Sequence, residues 1–262
     1  MTDRLFGDTA AILEGGGPPV ILIHGMGLNR HMWEWQLPPL LQRFRVIRYD
    51  LLGHGESNKT IRNYQMDDLV DQIVRLMDAL KLDRCALVGF SLGGMIGQAF
   101  AIAHPDRISA LAILNSAHDR SEEQRTGMLE RLETAIQSGL QETTEVALAR
   151  WFNDDFAARR PDVIDKVRQW MMANDPKVYP LLYRILAEGD RPLATAINEI
   201  RCPTLALACE QDHGNSPAMA HRMAELIPKG RAVVVPGLKH MGLAENPDAI
   251  SRILVPFLEE TL

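Results

Sequence analysis

Short apolar runs that stop at turn residues and alternate with helix-length segments are the feature that most constrains this chain. Val20–Ile23 ends at His24-Gly25, and Arg45–Asp50 ends at Leu51-Leu52-Gly53-His54-Gly55. Leu69, Ile73, Leu76 and Leu80 then recur at helical spacing before the run Cys85–Gly89. Ser91–Ala103 reads as the next helix, ended by Pro105, and Ile108–Leu114 as the next strand. Strand, helix, strand, helix at this spacing implies βαβ units with right-handed crossovers. The expected fold class is α/β, a mostly parallel twisted sheet with helices on both faces. With 262 residues, 46% of them apolar, the chain can bury a full-sized core.

The pattern changes from about Asp119 to Glu188, where amphipathic helical stretches replace the apolar runs. Ser121-Glu122-Glu123-Gln124 is a capping-box signature, with Met128, Leu132, Ala135 and Ile136 expected on the apolar face behind it. Trp151, Trp170, Met171, Met172, Tyr179 and Tyr183 concentrate here, most of them as this region's own core. The expected division is an α/β core of residues 1–118 and 191–262 with a helical cap inserted at 119–190. After the cap, Pro203–Cys209 and Arg231–Val235 read as strands, Pro217–Ile227 as a helix, and Pro247–Glu260 as a closing helix that tolerates Pro256 only with a local kink. Phe6–Leu13 carries only a weak strand signal, and Gly15-Gly16-Gly17-Pro18-Pro19 is a turn.

Lys plus Arg number 28 against 34 for Asp plus Glu, a formal charge of −6, which argues against a nucleic-acid surface. Cys85, Cys202 and Cys209 sit in or beside apolar runs without framework spacing, so buried free thiols are expected. The opening residues lack a signal-peptide pattern and no window reaches the length of a membrane span, so the expected setting is cytoplasmic, with no membrane partner. No paired His or Cys at metal spacing and no phosphate-binding glycine motif is present, so no metal or cofactor is expected and the expected partner is a small-molecule substrate.

Gly89-Phe90-Ser91-Leu92-Gly93 is a G-x-S-x-G motif between an expected strand and an expected helix. A serine hydroxyl is a weak nucleophile until a base accepts its proton, and the base must be oriented by a third group. Both follow in order: Asp212 just past the Leu205–Cys209 run and His240 just past Arg231–Val235. Loops at the C-terminal ends of parallel strands are where such sheets place their sites. Asp119, past Ile108–Leu114, is the competing acid; His118 and His213 neighbour the two acids, but His240 is the histidine that follows the acid at a strand end. An oxyanion needs two N–H donors, and the amides of Leu92 and of Met26, in His24-Gly25-Met26-Gly27, fit. His24 and His54 read as residues that hold their loops.

These marks, with Asp50-Leu51-Leu52-Gly53-His54-Gly55-Glu56-Ser57 and Glu245-Asn246-Pro247 behind His240, resemble the α/β-hydrolase fold superfamily from Val20 to the C-terminus. Within it the chain is most similar to the 3-oxoadipate enol-lactonase-like group, on Arg150-Trp151-Phe152, Asp175-Pro176 with Tyr179, and Ile200-Arg201-Cys202-Pro203-Thr204. The resemblance implies a serine hydrolase that cleaves a small ester or lactone through an acyl-enzyme on Ser91, with Trp151, Arg150 and Tyr183 at the substrate. A carboxylated substrate would want a cap cation, Arg150 or Arg184. C–C bond hydrolysis of a diketone by the same triad is the nearest alternative, and a hydrolase-like ligand receptor with negligible turnover is another.

Overall fold

The computed structural model describes residues 2–262. Its strands are β1 (Thr2–Phe6), β2 (Thr9–Gly15), β3 (Pro19–Ile23), β4 (Arg45–Tyr49), β5 (Cys85–Phe90), β6 (Ile108–Leu114), β7 (Thr204–Cys209) and β8 (Gly230–Val235). They form one eight-stranded sheet in the order β1-β2-β4-β3-β5-β6-β7-β8. From β4 to β8 every pairing across the sheet is parallel, while β2 joins β4 and β1 joins β2 antiparallel. The expected α/β class with a mostly parallel sheet is the one the chain adopts.

The helices, in chain order, are α1 (Leu37–Leu40), α2 (Met66–Ala79), α3 (Leu92–Ala103), α4 (Glu122–Ser138), α5 (Leu140–Trp151), α6 (Asp154–Arg159), α7 (Pro161–Met172), α8 (Tyr179–Glu188), α9 (Asp190–Ala196), α10 (Pro217–Leu226), α11 (Gly242–Glu245) and α12 (Pro247–Thr261). Strand side chains alternate between two cores. Ile21, Ile23, Leu87, Leu111 and Ile113 pack with α2, α3 and α10, whereas Val20, Leu22, Ala86, Val88 and Ala112 pack with α1 and α12. Helices on both faces are why these strands read as unbroken apolar runs rather than as alternating ones.

The stretch before Val20 departs from its weak signal. β1 and β2 are a hairpin in which Phe6 pairs with Thr9 across Gly7-Asp8, and Gly7 holds φ 60°. A two-residue loop opened by glycine suits the twist of a hairpin. Thr9 to Ile12 is buried, so packing supplies what Ala10-Ala11 lacks in strand propensity.

Helices α4 to α9 all lie between β6 and β7. The capping box forms: the Ser121 hydroxyl accepts from the Gln124 N–H at 3.2 Å and the Gln124 side chain from the Ser121 N–H at 2.9 Å. Met128, Leu132 and Ala135 are buried as expected, but Ile136 is 54% exposed and does not belong to that face. Cys85, Cys202 and Cys209 are free and buried. Among the described residues no helix is long and apolar enough to cross a membrane.

Candidate active site

Gly89-Phe90-Ser91-Leu92-Gly93 turns the chain from β5 into α3. Ser91, the N-cap of α3, holds φ 54° and ψ −114°, a conformation non-glycine residues rarely adopt. A Cβ on Gly89 would stand 2.2 Å from the Gly93 carbonyl oxygen, and one on Gly93 2.2 Å from that of Ile23, so both positions exclude any side chain. The Ser91 N–H donates to the Leu114 carbonyl at 2.9 Å, and the Ser116 hydroxyl donates to the Ser91 carbonyl at 2.6 Å. Backbone strain at the serine is thus over-determined by its surroundings.

Asp212 and His240 meet across the loops that follow β7 and β8. His240 Nδ1 donates to Asp212 Oδ2 at 2.6 Å, with both side chains buried. That bond leaves Nε2 of the imidazole as the acceptor. Asp212 Oδ1 accepts from the Gly214 and Asn215 N–H groups, each at 3.1 Å. Burial alone would push the Asp212 carboxyl up; the His240 imidazole and the hydrogen bonds outweigh it and hold the group below the ordinary carboxylate range. The His240 ring lies between Phe90, at 4.8 Å between centroids, and Trp151, at 5.4 Å. Among the described residues, no hydrogen bond ends on the Ser91 hydroxyl, a common state for a site without substrate. Asp119 points elsewhere: its side chain is half exposed and pairs with Arg222 on the surface. His118 is buried away from the cavity described below, and His213 stands exposed at its rim.

Two neutral histidines set the loop that carries Met26. His24 Nδ1 donates to the Gly25 carbonyl at 2.8 Å and Nε2 accepts from the Leu51 N–H at 2.9 Å. His54 Nδ1 donates to the Leu52 carbonyl at 3.2 Å and Nε2 accepts from the Gly27 N–H at 3.0 Å. Burial lowers His24 to about 4 and His54 to about 3, so each keeps the neutral form this network requires. From the other side, Asn174 Nδ2 donates to the Gly27 carbonyl at 2.8 Å. Among the described residues, neither the Met26 N–H nor the Leu92 N–H, at the first position of α3, has a hydrogen-bond acceptor. Met26 lines the cavity; Leu92 is fully buried and its side chain does not.

Ser91, Asp212 and His240 open on one cavity of about 1190 Å³ roofed by α4, α5, α7 and α8. Arg150, Trp151 and Tyr183 all line it, whereas Arg184 is exposed on the outer side of α8 and does not. Arg120 and Arg131 line it as well. Arg120 is buried and tied down: it donates to the Leu186 carbonyl at 2.9 Å and lies 3.6 Å from Asp190. Among the described residues, Arg131 Nε is buried without a partner, and the Arg150 guanidinium bonds only the Val146 carbonyl, at 3.4 Å. The surrounding wall and the charge of Arg131 both push the Arg150 guanidinium down.

The alpha/beta hydrolase fold model matches residues 18–247. The chain belongs to that family. This α/β hydrolase is 29% identical, over 95% of its length and 93% of the relative's, to an (E)-2-((N-methylformamido)methylene)succinate hydrolase of Acinetobacter baylyi. It is 28% identical to 3-oxoadipate enol-lactonase 2 of the same organism, over 89% of this chain and 86% of that one. The crystal structure of the enol-lactonase from Burkholderia xenovorans has a TM-score of 0.91 to it at 29% identity, covering 98% of this chain and all of the other. The α/β hydrolase is therefore a hydrolase with enol-lactonase-like relatives.

Several residues of this α/β hydrolase's site escape the sequence reading: Asn115, Arg120, Arg131, Asn174 and Asn215. Asn115 carried a usable signal, as an asparagine at the end of an apolar strand, where left-handed backbone is common for that residue. Arg131 lies on an ordinary polar helix face with nothing local to mark it.

Proposed function

We propose that this protein hydrolyses a small carboxylated ester or lactone through an acyl-enzyme on Ser91. The observation that carries the reading is the buried 2.6 Å bond from His240 to Asp212 in the cavity onto which the strained Ser91 opens. His240 Nε2 takes the Ser91 proton as the oxygen attacks the carbonyl carbon; Asp212 orients the ring and stabilises the imidazolium. The amides of Met26 and Leu92 receive the oxyanion, a contribution of about 10²–10³ in rate per donor. Collapse expels the alcohol, which takes the proton from His240, and water activated by the same imidazole then releases the acid. Only the unprotonated imidazole serves as base.

Arg131 and Arg150 support the carboxylated class, since two guanidinium groups that have no carboxylate partner among the described residues face the space a substrate would occupy. The names of the relatives, a succinate derivative and an oxoadipate lactone, support the same class. The cavity, at about 1190 Å³, exceeds the roughly 300–1,000 Å³ of most ligand pockets, which favours C–C hydrolysis of a bulkier diketone as the second reading.

The test is initial rates on 3-oxoadipate enol-lactone and on a short-chain p-nitrophenyl ester, with Ser91→Ala as the blank. A far higher kcat/KM for the enol-lactone supports the proposal. Slow cleavage of the simple ester alone removes the substrate assignment and favours the diketone. Negligible turnover on every substrate, with a ligand-induced rise in Tm, points to a receptor.

A further inference from the structure

Asn115 sits directly after β6, fully buried, and holds φ 47°. Its N–H donates to the Leu207 carbonyl at 2.8 Å, which extends the β6–β7 ladder by one residue. Its side chain reaches over the strand ends: Nδ2 lies 3.3 Å from Asp212 Oδ2 and 3.0 Å from the His240 carbonyl oxygen. The two hydrogens of one amide thus meet two acceptors, one on the loop after β7 and one on the loop after β8. The amide orientation follows from chemistry, because the reverse would set Oδ1 against a carboxylate and a carbonyl, three acceptors with no proton among them. In the observed orientation Oδ1 is buried and, among the described residues, without a partner.

We propose that Asn115 is a positioning residue that clamps the Asp212 loop to the His240 loop from the neighbouring strand. The oxygen that receives the His240 proton bond also accepts from Asn115, so the amide fixes that lone pair's direction and, through the His240 carbonyl, the height of the imidazole over Ser91. The two loops also meet directly, through the His240–Asp212 bond, the Asn215 amide 3.4 Å from His240 Nδ1 and the Gln211 N–H on the Leu238 carbonyl at 2.9 Å; Asn115 adds the tie that comes from a third strand. The inference rests on the roles proposed above for Asp212 and His240.

Asn115→Gly keeps the left-handed backbone and removes the amide, and Asn115→Asp keeps the shape but offers no N–H to Asp212. For both, kcat on the best ester or lactone falls on the order of 10- to 100-fold, the aspartate variant more, while KM stays within about threefold. Proton NMR gives a second readout that needs no turnover: the downfield signal of the His240 Nδ1 proton, assigned by its loss in His240→Gln, shifts or broadens in both variants. A folded Asn115→Gly protein with kcat within twofold of wild type and that signal unmoved overturns the proposal. If wild type cleaves nothing but the signal responds to Asn115, the clamp stands and the hydrolytic reading fails. If wild type is active and neither readout responds, the clamp fails alone.

Discussion

Asp212 and Asp119 each follow a strand of the parallel sheet, yet their surroundings give them different chemistry. Asp212 is buried, takes four donors on its two oxygens and faces an imidazole; Asp119 is half exposed and holds Arg222. Asp212→Asn is expected to lower kcat by about 10³–10⁴-fold, because an amide cannot hold the tautomer a base requires. Asp119→Asn is expected to leave initial rates within twofold, and a larger loss there than at Asp212 would reverse the assignment. Ser91→Ala is expected to retain less than a few per cent of activity. Ser91, Asp212 and His240 were legible because each stands where an apolar run gives way to a turn, and strand ends converge in this topology. The contacts of Asn115 and Arg120 were not: Asn115, although its place at a strand end marks it, meets His240 across 125 positions, and Arg120 meets Asn215 across 95, separations no local pattern reports.

At the level of elements, the turn from β5 into α3 inverts an ordinary rule. Replacing glycine by alanine inside a helix generally stabilises it by about 1 kcal/mol. Gly93 lies in the first turn of α3, but a methyl group there would stand 2.2 Å from the Ile23 carbonyl oxygen. Gly93→Ala should therefore destabilise by roughly 1–3 kcal/mol, as overpacking does, and a raised Tm would contradict the close approach of α3 to β3. The histidine clamp makes a pH prediction. His24 and His54 have native values of about 4 and about 3 against 6.5 when unfolded, so between those limits the unfolded chain binds the extra protons. Their contribution is complete above about pH 7 and lost progressively as pH falls, amounting at pH 5 to about 2 kcal/mol for each. Guanidinium melts at pH 7 and pH 5 measure it; equal stabilities would show that the two rings are protonated in the native state. The central strands and flanking helices were readable from apolar runs because helices cover both sheet faces. The β1–β2 hairpin was not, since Ala10-Ala11 has little strand propensity, although Gly7-Asp8 is itself a two-residue turn signal.

Across the whole molecule, the strand ends carry Ser91, Asp212 and His240, and the helices between β6 and β7 carry the arginines that line the cavity above them. The protein is net negative at −6, so bulk electrostatics repels a carboxylated substrate and any attraction must be local. Arg131 on α4 and Arg150 on α5 are the proposed source, and burial together with the Arg131 charge pushes the Arg150 guanidinium down, a cost an entering carboxylate would relieve. Charge-assisted hydrogen bonds contribute about 1.5–3 kcal/mol when buried, and the openness of this site places the expectation at the lower end, about tenfold in KM. Arg131→Gln should therefore raise KM for a carboxylated ester about tenfold while kcat changes little, and shift KM for the matching neutral ester by no more than about threefold. Wild-type KM for the carboxylated ester should also climb with added salt, and the variant's should climb less, because screening acts on the charge the substitution removes. Equal loss on both esters would mean that Arg131 shapes the roof of the cavity rather than reading its occupant. The carboxylate would then have to be recognised by Arg150 alone, which the same pair of esters measured on Arg150→Gln would decide.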